Sequence, residues 1–352
     1  MRQRLESLLP RAWMRRGPLA LALLPLSWLF GIIGAVRRKL YAAGWLASSR
    51  LPVPVIVVGN IFVGGTGKTP FSIWLVKALR DAGYSPGVVS RGYGASAAAT
   101  HHVTAQSSPA EAGDEPLLIA SRAACPVMVG RDRAAAGRAL LAAHPEVDLI
   151  ITDDGLQHYA LQRDIEIVLC DDRGNGNGWL LPAGPLREPA RRRRDFTVVN
   201  TSGALPNVPQ PAFRMRLDGT FAERLSNSGE KQALTAWWQA NTPGFSSAPE
   251  TKSLKLAAAA GIGNPGRFFA MLRASGLEFE ELPLPDHFDF ASNPFEGISA
   301  DVILITEKDA VKCRQLDALK HDPRLWVVPV TARIEGALLD QLLEKLRGRS
   351  PA

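Results

Sequence analysis

Phe62-Val-Gly-Gly-Thr-Gly-Lys-Thr69 is the stretch of this 352-residue chain whose residue types and order most directly imply chemistry. Gly64, Gly65 and Gly67 let the backbone turn its N–H groups onto an anion, an approach that side chains would obstruct. Lys68 can reach the β- and γ-phosphates of a nucleotide, and the Thr69 hydroxyl can ligate Mg²⁺. The strict phosphate-loop spacing asks for a glycine where Phe62 stands, so context must carry part of the assignment. Phe62, Val63, Gly64, Gly65, Thr66, Gly67, Lys68 and Thr69 are the expected nucleotide-binding residues, with ATP and Mg²⁺ as the expected ligands. Downstream, Val147-Asp-Leu-Ile-Ile-Thr-Asp-Asp154 is an apolar run ending in acid, which would bring a carboxylate beside such a loop to hold the metal. Asp153 and Asp154 are adjacent and should point in different directions, so either can serve that role.

Both motifs need strands to aim them. Val55–Val58 is a β-branched run directly before the loop, and the helical spacing of Trp74, Leu75, Ala78 and Leu79 predicts a helix over 69–82. Further apolar runs at 88–89, 127–129, 147–151, 165–169 and 196–199 predict buried strands, and 132–143 predicts an Ala-rich helix. Apolar strands alternating with helices imply a parallel sheet covered on both faces. Residues 201–253 are rich in Pro, Ser, Asn and Gly and read as a linker and insert, with one alternating arm at Phe213–Leu217. A second α/β block follows: strands at 256–260, 302–305 and 325–330, and helices at 265–274, 309–319 and 335–346. The expected organisation is a membrane-associated helix in 1–40, a P-loop domain in 41–200, the insert in 201–253, and a second, smaller α/β domain in 254–352.

Gly17 to Val36 carries no charge and would reach about 30 Å as one helix, enough to span a hydrocarbon core. Arginines flank both ends, which argues against a cleaved leader and against a single span, and Pro25 interrupts the helix. A kinked or interfacial helix with both ends on the cytoplasmic side fits best. A single transmembrane anchor and a helix buried in the core are its rivals.

The charged fraction of 21% and hydrophobic fraction of 46% are those of a folded globular chain. The net charge of +7 favours anionic partners. Nucleic acid is not among those expected, since the basic residues gather near the apolar segment and at Arg191–Arg194 with no recognition motif. Cys125, Cys170 and Cys313 are too far apart in sequence for a Cys-x-x-Cys metal site and read as structural thiols.

The stretches VVGNIFVGGTGKTP (57–70), SRGYG (90–94), GDEP (113–116), GRDR (130–133), DDGLQH (153–158), GNGWLLPAGPLREP (176–189), GIGNPGRFF (261–269), DHFDF (286–290) and TEKDAVK (306–312) run through most of the chain. In this order they resemble the tetraacyldisaccharide 4'-kinase family, the lipid A 4'-kinases of Gram-negative bacteria, which also lack the glycine at the place of Phe62. The resemblance implies transfer of phosphoryl from MgATP to the 4'-hydroxyl of a tetraacylated glucosamine disaccharide 1-phosphate, giving lipid IVA. It implies two α/β/α domains at the cytoplasmic face of the inner membrane, with that lipid and inner-membrane lipids as partners and no obligate protein partner. It assigns the proton of the sugar hydroxyl to Asp114, oriented or polarised by His287, with Lys68 as the third catalytic residue. Glu115 would join the Mg²⁺ shell; Arg133, Arg187 and Glu188 would contact phosphate or substrate or position their neighbours. Gln157 and His158 would orient the nucleotide or a metal-bound water, or simply form hydrogen bonds in the core. Arg191–Arg194 reads as a solvated run, or as a holder of lipid headgroups or of the substrate 1-phosphate. Thr306-Glu-Lys-Asp309 has its lysine one place too late for a guanine-reading motif. The competing function is a membrane-tethered P-loop NTPase switch or assembly factor, which would need neither Asp114 nor His287.

Overall fold

A computed structural model describes residues 9, 11–92, 100–104, 106–241 and 254–348. Tyr93 and Gly94 of the SRGYG stretch, residues 1–8 and positions 242–253 of the insert lie outside the described residues. The first strands are β1 (Val55–Asn60), β2 (Pro86–Ser90), β3 (His101–His102), β4 (Val127–Val129), β5 (Leu149–Asp153), β6 (Ile165–Asp171), β7 (Phe196–Asn200) and β8 (Ala212–Asp218). The chain continues with β9 (Phe221–Arg224), β10 (Asn227–Ala233), β11 (Leu256–Ala260), β12 (Glu280–Pro283), β13 (Val302–Thr306), β14 (Leu325–Val328) and β15 (Thr331–Ile334).

They form two sheets, each the centre of a lobe. The first has nine strands in the order β15-β8-β7-β6-β1-β5-β2-β4-β3, and the second has six in the order β10-β9-β14-β13-β11-β12. From β8 to β4 every pairing of the first sheet is parallel, and only β15 and β3 run antiparallel at its edges. All residues of β1 are buried. Ile56 and Val58 enter one core layer while Val55 and Val57 enter the other, the alternation of a strand covered on both faces. β1 lies between β5 and β6 while β2 lies beyond β5, so the strand order reverses at β1. Ligands gather at such a reversal, outside the carboxyl ends of the strands.

Residues expected as a linker supply strands to both sheets. β8 buries Phe213 and Met215 in the first core, and β9 pairs with β14 in the second sheet. The alternating arm expected at Phe213–Leu217 is β8, while the polar composition of 201–233 concealed β9 and β10, the latter an exposed edge. The chain also returns: β15 pairs with β8, and the Ala337–Arg347 helix sets Leu338, Leu342 and Leu346 into the first core. Two short passages, 219–220 and 329–330, therefore join the lobes in the described residues. The helix expected over 309–319 is two, Glu307–Cys313 and Asp317–Lys320.

At the N-terminus the apolar segment breaks at Leu23 into helices Pro18–Ala22 and Leu24–Ala42, with Pro25 at the start of the second. Among the described residues no helix is long and apolar enough to cross a membrane. Nor is the segment in the core: Trp28, Ile32 and Ile33 are 63%, 61% and 60% exposed. Its other face docks on the first lobe, where the Ser27 hydroxyl donates to the Leu180 carbonyl at 2.8 Å. Cys125, Cys170 and Cys313 are free thiols, and burial pushes them up to about 12, 11 and 12.

Candidate active site

The carboxyl ends of both sheets open into one chamber of about 1220 Å³. The first lobe contributes the turns after β1, β5 and β7; the second contributes 262–264 after β11 and 306–308 at the end of β13. Val63 to Thr69 line it. Phe62 does not: it is buried in the first-lobe core under the Arg173 guanidinium, 4.3 Å from its ring. Its backbone, not its side chain, belongs to the turn.

The turn is held by its carbonyls. Asn60 Nδ2 donates to the Phe62 and Gly64 oxygens at 2.6 and 2.9 Å, Arg173 Nη2 to the Gly65 oxygen at 3.1 Å, and Asn200 Nδ2 to the Thr66 oxygen at 3.3 Å. With these oxygens engaged from behind, and the Val63 N–H donating to the Pro185 carbonyl at 2.9 Å, the N–H groups from Gly64 onward are left for phosphate oxygens. Gly64 and Gly67 have φ of 105° and 92°, values that disfavour any side chain, and Gly67 opens the Lys68–Asp81 helix. That helix start adds favourable potential for an anion. Lys68 Nζ lies 3.3 Å from Asn60 Oδ1 and 3.9 Å from Asp154. Asn60 stood inside a recognised stretch with no role; Arg173 and Asn200 had no sequence signal at all.

Asp153 and Asp154 divide the work. Asp153 is 1% exposed and takes one hydrogen bond, from Ser72 Oγ at 3.1 Å, while its Oδ2 has no partner. Burial and the nearby Glu115 charge push its carboxyl up to about 7. A buried carboxylate oxygen without a partner is costly unless a cation supplies one. Asp154, at φ 50°, turns the other way and meets Arg187 Nη1 at 3.2 Å. Burial alone would raise its carboxyl, but the Lys68 and Arg187 charges hold it below the ordinary value. The Thr66 hydroxyl is also buried without a partner. No group of three or more His, Cys, Asp or Glu among the described residues is arranged to hold a metal.

Across the chamber, Asp114 begins the Asp114–Ala123 helix and His287 sits in the second lobe, in the left-handed region at φ 58°. His287 Nδ1 lies 3.3 Å from Asp114 Oδ2. An ionised carboxylate only accepts, so Nδ1 carries the proton and Nε2 is the basic nitrogen. Lys308 Nζ faces Nε2 at 3.3 Å and also reaches Asp286 at 3.4 Å and Glu115 at 3.5 Å. Burial alone would raise Asp114, but hydrogen bonds from His287 and Lys312 and the charges of Lys312 and Lys308 outweigh it and hold its carboxyl low. Asp114 is therefore held as an anion, which favours the imidazole over the carboxylate expected from sequence as the proton acceptor. The lobes also meet through the Arg122–Glu307 ion pair, and an added Cβ at Gly263 would lie 2.6 Å from the Gly65 nitrogen.

Of the remaining expected residues, Glu115, Arg133 and Arg187 line the chamber. Arg133 is buried and donates from Nη2 to the Asp154 oxygen at 3.0 Å. Glu188 is not in the chamber wall; it accepts from Gln157, Tyr159 and Arg192 in a buried network and so positions its neighbours. Arg192 is half-buried, paired with Glu166 and Glu188, so the arginine run is not simply solvated. Thr306 and Asp309 are structural: the Thr306 hydroxyl donates to Asp309 Oδ2 at 2.7 Å, and Asp309 accepts the Gly261 amide at 3.0 Å. His158 lines the chamber with Nε2 unpartnered; burial and the Arg133 charge push it down to about 4.

Residues 19–347 match the family described as Tetraacyldisaccharide-1-P 4'-kinase. The chain is 60% identical over 351 residues to a protein of Janthinobacterium sp. (strain Marseille) named Tetraacyldisaccharide 4'-kinase, covering 100% of this chain and 99% of that one. A protein of the same name from Herminiimonas arsenicoxydans is 59% identical over 357 residues, covering 100% and 98%. The crystal structure of the "apo" form of LpxK from Aquifex aeolicus in complex with ATP superposes with a TM-score of 0.73 at 29% identity, over 93% of this chain and 99% of that one.

Proposed function

The chain belongs to the tetraacyldisaccharide-1-P 4'-kinase family, and we infer that it uses this chamber to move the γ-phosphoryl group of ATP to the 4'-hydroxyl of a tetraacylated disaccharide 1-phosphate in lipid A biosynthesis. The observation that carries the reading is the convergence on one chamber of the phosphate loop and Asp114 from the first lobe with His287 from the second. ATP phosphates lie on the amides of Gly64 to Thr69, and Lys68 leaves Asp154 for the β/γ oxygens. Asp153 Oδ2, Thr69 and Glu115 are the side chains that would hold Mg²⁺, which when bound neutralises charge on the transferring group. His287 Nε2 takes the hydroxyl proton, displacing Lys308, while Asp114 fixes the ring and stabilises the imidazolium that forms. The sugar oxygen bonds to the γ-phosphorus as the bond to the ADP oxygen breaks. Arg187 and Arg133 offer charge to phosphate or acceptor.

The acceptor is a lipid, and the reading extends to where the protein works: the cytoplasmic face of the inner membrane. The exposed face of the Leu24–Ala42 helix carries Leu26, Trp28, Leu29, Phe30, Ile32, Ile33 and Val36, a contiguous apolar surface suited to lie in the interface. Arg37, near the end of that helix, lines the chamber, so a head group reaching inward would leave its acyl chains beside the apolar face.

Incubation with γ-labelled ATP, Mg²⁺ and the disaccharide 1-phosphate lipid in detergent should move label to the lipid. ATP hydrolysis without labelled lipid would sink the kinase reading in favour of a switch. In the same preparation, Ile32→Glu with Ile33→Glu should lose co-sedimentation with anionic vesicles while keeping transfer to micellar acceptor. Unchanged sedimentation would place the attachment elsewhere.

A further inference from the structure

Lys312 is a cation that the transfer reading leaves without a task. It lies one helical turn beyond Lys308 on the Glu307–Cys313 helix of the second lobe, with its side chain 12% exposed. It is not among the residues lining the chamber but stands behind Asp114, which is. Its Nζ lies 2.9 Å from Asp114 Oδ2 and donates to the Phe288 carbonyl at 2.8 Å. One of these partners is in the first lobe; the other is the residue next to His287. The oxygen it grips on Asp114 is the one facing His287 Nδ1. Burying an ammonium at a helix contact costs several kcal/mol unless its partners repay it, and an apolar side chain would pack the same contact without that cost.

We propose that Lys312 is a positioning residue: by bonding Asp114 of one lobe and the Phe288 carbonyl of the other, it fixes the carboxylate against His287 and so sets the ring that takes the proton. The inference rests on the Asp114–His287 reading given above. Lys312 acts on the reaction through Asp114, anchored by the Phe288 carbonyl, and it ties assembly of the pair to the meeting of the lobes. Without the ammonium, Asp114 keeps one side-chain partner and can swing off the imidazole.

The test measures kcat and both KM values of the full chain in detergent micelles for Lys312→Met, Lys312→Arg, Asp114→Asn and the Lys312→Met/Asp114→Asn double variant. Lys312→Met should lower kcat roughly tenfold to hundredfold, the usual scale for outer partners that orient a working group. The KM for ATP should stay within about threefold, because the phosphate corner is untouched. Lys312→Arg, which keeps a charged donor, should recover most of the loss. In the Asp114→Asn background the Met change should cost under about twofold, since both changes break the same contact. An equal loss in both backgrounds, or an Arg variant no better than Met, would overturn the proposal. Should Lys312→Met fail to fold, Lys312→Gln replaces it in the same cycle with the same criteria. A fully active Asp114→Asn would instead remove the pair itself, a failure distinct from that of Lys312 acting through it.

Discussion

The two corners of the chamber are built in opposite ways. The phosphate corner comes from a single lobe: Val63 to Thr69 leave β1, and Asp153 ends β5, paired with Val58 of β1 in the sheet register. Its parts are fixed by strand pairing and by amide and guanidinium bonds to loop carbonyls. The base corner is divided between lobes. Asp114 and His287 are 173 residues apart, and their contact exists only because the Asp114–Ala123 and Glu307–Cys313 helices meet. One corner can therefore bind whenever the first lobe is folded, while the other works only when both lobes are together. Binding and chemistry should come apart under mutation.

Lys68→Ala should have the largest effect. It removes the charge that meets the migrating phosphoryl group, and the loss of one such stabiliser costs about 10²–10³ in kcat. Because Lys68 also touches the bound phosphates, the KM for ATP should rise in parallel. A variant with near-wild-type turnover would break the account of the phosphate corner. Next comes His287→Ala, with a loss of about 10²–10⁴ expected for a general base, the lower end if a water replaces the ring. Here the KM for ATP should hold. If it rises as steeply as in Lys68→Ala, the corners are not separable and the contrast fails.

The same contrast governs what could be read from sequence. A contiguous turn between an apolar strand and a helix is a local object, and Gly64, Gly65, Gly67, Lys68 and Thr69 announced it. Asp153 and Asp154 were visible as the end of an apolar run, but their division was not. It depends on Ser72 and Arg187, which lie 81 and 33 positions from their partners. The base pair was legible only through resemblance, and the contact of Lys312 with Asp114, made from another lobe, had no local signal. β9 was hidden by polar composition, whereas the alternation of Phe213, Met215 and Leu217 showed β8 as an arm without showing which sheet it joins. Nothing local shows that Leu338, Leu342 and Leu346 return to the first core: helical spacing says that a face is buried, never against which sheet. Pro25, by contrast, marked the break in the N-terminal helix, because a missing N–H acts on its own turn.

The smallest expected effect concerns acid. His158, on the phosphate side, is held near 4 when folded against an ordinary value of 6.5. Between those values the unfolded chain binds a proton that the folded chain refuses, so stability falls as pH drops from about 6.5 to 4. Asp153 opposes this: pushed up to about 7 from 3.8, it binds a proton in the folded state that the unfolded chain lacks, and gains stability over nearly the same range. The wild-type slope is thus a difference of two terms, and only a comparison isolates one. Asp114 on the base side is held below 3.8, so its contribution is lost only under more acidic conditions. Thermal midpoints of wild type and His158→Gln, measured from pH 7 to pH 4, should diverge, the wild type losing ground steadily on the acid side. His158 keeps some contact with solvent, so the gap should be on the order of 1 kcal/mol. Parallel curves would mean that the imidazole is charged in the folded chain, and that the phosphate corner is wetter than its unpartnered nitrogen implies.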